Sequence, residues 1–122
     1  MADTPHNSKV QLARKDSSTF NELLTVSVNG DNEIIATPGA GYALHIHTVT
    51  VQNKDNAVST EITFKSASTE IQGPATLGPL GVWSVDFFGE DAIVCAANEA
   101  FVVNSSVDVE LLVLGNYHSQ AV

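Results

Sequence analysis

Cysteine is almost missing from this sequence: Cys95 stands alone among 122 residues. No disulfide can therefore form within the chain, which excludes a disulfide-stapled scaffold. Positive charge is scarce as well. Five Lys and Arg face fourteen Asp and Glu, for a net charge of -9. Lys9, Arg14 and Lys15 lie in the first twenty residues, and only Lys54 and Lys65 follow. A body so acidic repels phosphate backbones, so no nucleic-acid partner is expected. No apolar run is long enough to cross a bilayer, and no membrane partner is expected. The opening MADTPHNSKVQLARK lacks the apolar core of a secretory signal. The expectation is a soluble product of a cytoplasm.

Catalytic signatures are missing too. The sequence contains no G-x-x-x-x-G-K-[ST], no G-x-S-x-G, no H-E-x-x-H and no EF-hand loop. Cys95 sits in the apolar run IVCAA, where cysteine behaves as a small buried hydrophobe rather than a nucleophile. No enzyme is expected, and no cofactor.

What is present is a β texture. Hydrophobic residues make up 43% of the chain and charged residues 16%, a balance that fits one ordered domain. Short runs rich in β-branched residues alternate with turn signals. LLTVSV (23–28) ends at NGDN, and EIIAT (33–37) ends at PGAG. YALHIHTVTVQN (42–53) is the longest strand, with KDN expected as a hairpin turn after it. VSTEITFKSA (58–67) places Val58, Thr60, Ile62 and Phe64 on one face. Three glycines and two prolines between Gly73 and Gly81 read as a shaped loop. VWSVDFF (82–88), AIVCAA (92–97, read as buried on both sides), AFVVNS (100–105) and VDVELLVLGNY (107–117) complete the set. Eight or nine short strands predict an all-β fold, an antiparallel β-sandwich of jelly-roll type. Residues 1–20, polar and without periodicity, are read as an extended N-terminal arm, and residues 21–122 as the sandwich domain.

Two chemical candidates stand out. His45 and His47 are two residues apart on a strand, so both side chains share a face and can reach one metal ion. Gly39, His45 and His47 resemble the first motif of the cupins, and Gly73, Pro79 and Gly81 match the spacing of the second. The remaining two ligand positions are not filled: Val51 or Gln52 stands where the glutamate belongs, and Ser84 where the last histidine belongs. Two imidazoles hold a divalent ion weakly, so no metal site is expected. A polar sheet face or a subunit contact is the preferred role, and a degenerate cupin-like binder of metal or a small molecule the alternative. His118 and His6 are placed in the chain ends. The second candidate is a surface contact at Pro74, Pro79 and Trp83, where an aromatic beside the loop could bind a glycan.

The order IIATPGAGYALHIHTVTVQN, ITFKSASTEIQGPATLGPLGVWSVDF, AANEAFVVNSSVDVELLVLGNY resembles the small β-sandwich virion proteins of tailed bacteriophages. The likeness runs over residues 34–117. It implies a capsid decoration, or cement, protein: a homotrimeric jelly roll on the head shell. The partner would be the major capsid protein or another virion subunit, and the location the phage particle. Lys9, Arg14 and Lys15 would then form the gripping arm. A head or tail fibre component that binds host glycan through residues 73–81 is the alternative within the same class.

Overall fold

The computed structural model describes residues 17–24, 29–86 and 93–122. Lys9, Arg14 and Lys15, the expected arm contacts, lie outside the described residues. Among those described there are nine strands and no helix: β1 (Ser17–Leu24), β2 (Gly30–Ile35), β3 (Tyr42–Asn53), β4 (Thr60–Ser66), β5 (Thr69–Leu77), β6 (Val82–Asp86), β7 (Ile93–Val94), β8 (Phe101–Ser105) and β9 (Leu111–Ala121). They form two antiparallel sheets. One runs β1-β9-β3-β6, with β7 also paired to β3, and the other runs β2-β8-β4-β5. The chain passes from sheet to sheet after β1, β2, β3, β5, β7 and β8, and only β4–β5 is a hairpin between neighbours. That order is the jelly roll.

Alternation builds the core. From the first sheet Leu44, Ile46, Val49, Val51, Ile93, Leu111 and Val113 point inward, and from the second Ile62, Phe64, Phe101 and Val103. Each such side chain contributes about 1.5–3 kcal/mol on burial. Phe101 bridges the sheets, with its ring centroid 6.2 Å from Phe20 and 5.7 Å from Phe64. Buried polar groups are matched as well. Thr60 and Ser105 share a hydroxyl hydrogen bond of 2.8 Å. The amide of the fully buried Asn53 donates to the carbonyls of Val58, Leu77 and Gly78. That one side chain ties the β3–β4 connection to the β5–β6 turn.

Several expectations need correction. Strand β1 begins at Ser17, so residues 17–20 belong to the sandwich rather than to an arm. Residues 73–77 are not loop but the end of β5, which pairs only with β4. An edge strand tolerates Pro74, which falls opposite a break in register between Ile62 and Phe64. KDN is not a hairpin turn, because β3 and β4 lie in different sheets. AIVCAA is not buried on both sides: Ile93 and Cys95 face the core, while Val94 is 51% exposed.

Candidate functional site

Strand β3 positions the histidines, and a bulge sets where they point. Inward residues run Leu44 and Ile46, then Val49 and Val51, so the alternation slips by one residue between them. The pairing with β9 shifts at the same place: Ile46 opposes Tyr117, and Thr48 opposes Asn116. His47 is the extra residue of that bulge. His45, His47 and Thr48 therefore all lie on the outer face of the sheet, away from the core.

A third histidine joins them. His118 lies directly opposite His45 on β9, and only 1% of it is exposed. It was expected in a chain end; instead β9 runs on to Ala121. Its Nδ1 lies 2.6 Å from His47 Nε2, and its Nε2 lies 2.9 Å from Gln120 Oε1. The amide oxygen accepts from Nε2–H, so in the neutral pair Nδ1 accepts from His47. The His47 and His118 centroids are 4.7 Å apart. With nitrogens in hydrogen-bond contact, these rings meet edge to edge, although their planes differ by only 30°. His45 covers His118 from the other side, with centroids 4.9 Å apart and planes 21° apart.

This arrangement is a packed hydrogen-bonded cluster. Two nitrogens on one tetrahedral zinc stand about 3.4 Å apart, given bonds of about 2.0–2.1 Å. The 2.6 Å contact is too close for that and has the length of a direct hydrogen bond. Among the described residues no group of three His, Cys, Asp or Glu is disposed to hold a metal ion. The cupin-like spacing also fails in orientation, since a site inside the barrel needs inward histidines. Here the interior positions beside them carry Leu44, Ile46 and Val49.

The other candidates separate. Trp83 turns inward, its ring parallel to Phe64 within 5° at a centroid distance of 4.4 Å. It is a half-buried part of the core rather than a platform beside the loop. Pro74 is exposed on β5, and Pro79 is exposed in the turn that follows. Cys95 is buried, and burial, opposed by a Ser66 hydrogen bond and reinforced by Glu99, pushes its thiol up to about 11. At neutral pH it is a protonated, inert group.

Charge divides the two outer faces. On β2, β4 and β5 the outward residues include Asp31, Glu33, Glu61, Lys65 and Glu70. Lys65 Nζ reaches both Asp31 carboxylate oxygens at 3.0 Å, and Asn104 donates to one of them at 2.8 Å. These donors, the Asn104 amide first, hold the Asp31 carboxyl below its ordinary value. The opposite face is built differently. Beside the histidines it presents Thr19 and Asn21 from β1, Leu112 and Leu114 from β9, and Thr50 and Gln52 from β3. Val82, Ser84 and Asp86 from β6 and Val94 from β7 complete it. Among its described side chains, Asp86 alone carries a charge.

No protein-family model matches this chain, and no curated protein matches its sequence.

Proposed function

We propose that this chain is a structural protein of a tailed-phage virion, a decoration subunit that binds the head shell and stiffens it by bridging neighbouring shell subunits. The observation that carries the reading is the division of the surface: a filled β-sandwich with one carboxylate-rich face and an opposite face on which, among the described residues, Asp86 alone is charged. A shell-bound plate uses two unlike sides in this way. The acidic side faces solvent and keeps particles apart by repulsion, and the side with little charge is available for contact. The likeness of residues 34–117 to small virion sandwiches supports the same reading. Lys9, Arg14 and Lys15 would add contacts to an acidic shell surface. Several copies bound together multiply modest contacts, so no single strong site is required.

The test uses shells purified without this protein. The full chain should co-sediment with them at a saturable ratio and raise the temperature at which they break. A chain beginning at Ser17 keeps β1 and should lose most of that binding. No saturable binding by the full chain would overturn the reading. Retention on a glycan surface regardless of residues 1–16 would favour the fibre alternative.

A further inference from the structure

From the entry to β2, we infer that Asn29 is a site of spontaneous deamidation, with the Gly30 nitrogen as nucleophile and water as co-reactant. Gly30 has a φ of 96°, which L side chains rarely adopt, so the step into β2 requires glycine. The space where a Cβ would stand is open, with nothing beyond the chain neighbours within 4 Å. A backbone nitrogen with no side chain beside it reaches the preceding carboxamide most easily. Of all the asparagines in the chain, only Asn29 precedes a glycine. The structure ranks the others below it. The amide of Asn53 is buried on three carbonyls, and that of Asn104 is bonded to Asp31. Asn98 and Asn116 are held as acceptors, by the Gly39 N–H and the Thr48 hydroxyl. Asn21, Asn29 and Asn56 are exposed, and no described residue hydrogen-bonds their side chains. Glu22 and Ala57 follow the first and last of these, and each sets a Cβ beside the attacking nitrogen.

The Gly30 nitrogen bonds to Asn29 Cγ, and the Cγ–Nδ2 bond breaks. The side-chain amide leaves as ammonia, taking the proton of the Gly30 N–H. Water then opens the cyclic imide at either carbonyl, giving aspartate or isoaspartate, and nothing is oxidised or reduced. Gly30 pairs with Ser105 at the end of an edge strand, so ring closure needs only that terminal pair to part. The product carries one more negative charge than the -9 of the chain. That charge falls beside Asp108, whose Oδ1 accepts the Asn29 backbone N–H at 3.1 Å. Isoaspartate also lengthens the backbone by one carbon just ahead of β2. Both changes work against the pairing of Gly30 with Ser105.

The site is independent of the virion reading. Its test keeps the full chain folded, checked by circular dichroism, in warm and mildly alkaline buffer for days. Fragment-ion mass mapping reads the loss of ammonia and gain of water as about one dalton at a named residue. Isoaspartyl methyltransferase labels the isoaspartate. Conversion at Asn29 should outrun that at Asn21 or Asn56 by about tenfold or more, a barrier lower by about 1.4 kcal/mol. The rate should rise with pH, because the deprotonated nitrogen attacks. Asn29→Gln, whose longer side chain closes a larger ring slowly, should stay unlabelled. A folded chain that keeps Asn29 intact, or converts Asn21 or Asn56 first, would overturn the inference. So would an Asn29→Gln chain that labels as fast as wild type.

Discussion

His47 Nε2 and His118 Nδ1 lie 2.6 Å apart, joining the bulge of β3 to the last strand. The contact converts two polar residues on neighbouring strands into a cross-strand clasp, with His118 almost wholly out of water. Removing one partner of a buried hydrogen bond costs about 1–3 kcal/mol. His118→Ala should therefore lower stability by that amount in urea unfolding, and equimolar zinc should leave the wild-type melting temperature unchanged. A zinc-induced rise of several degrees would contradict the clasp.

Gly115 faces the core between Phe20 and Val49. A Cβ there would collide with the Thr48 carbonyl oxygen and lie 2.7 Å from the Phe20 ring. The first of these is backbone held in the β3–β9 ladder, so it cannot swing aside. Gly115→Ala should cost about 3 kcal/mol or more, at the upper end of overpacking changes. Thermal unfolding measures it, and a loss below 1 kcal/mol would show that the strands can part more easily than their pairing implies.

Cys95 gives a chemical reading of the same core. With its thiol raised to about 11, little thiolate exists at pH 8. Relative to an unfolded thiol near 8.5–9, the depletion of the reactive form alone is about a hundredfold. Disulfide-exchange reagents should modify the native chain slowly and the guanidinium-unfolded chain at least that much faster. Equal rates would place Cys95 at the surface.

The Asp31–Lys65 pair fixes a pH dependence. The folded carboxyl lies below its unfolded value because Asn104 and Lys65 bond its charged form. Its contribution is therefore present above the unfolded value near 3.8 and is lost as pH falls through the lower folded one. The pair is partly exposed, so its worth is less than about 1 kcal/mol and falls with salt. Lys65→Met should be slightly less stable than wild type at pH 7, with the gap closing as the pH falls below about 4. A gap that widens in acid would contradict the assignment.

Much of the fold is legible where alternation is uninterrupted. The bounds of β3 follow from YALHIHTVTVQN, and the inward Thr60, Ile62 and Phe64 of β4 follow from period two. The bulge also leaves a trace, since the apolar positions jump from Ile46 to Val49, but a reading that takes the run as one strand passes over it. β5 was hidden because Pro74 and Gly73 mark loops by local preference, and an edge position relaxes that rule. Turn residues cannot say which sheet the chain enters next, so at KDN the crossing from β3 to β4 resembles a hairpin. His118 was hidden for a different reason. Only the length of β3, twelve residues that need a partner over most of their run, argues that β9 extends past Tyr117.

The proposed role is that of a multi-copy structural subunit, with His45, His47 and His118 packed against one another rather than set as a metal centre. Native mass spectrometry of the full chain, with and without added zinc or iron, tests it most directly. A metal-free assembly of two or more chains is expected under both conditions. A single chain carrying one stoichiometric metal would contradict it and make His45, His47 and His118 ligands.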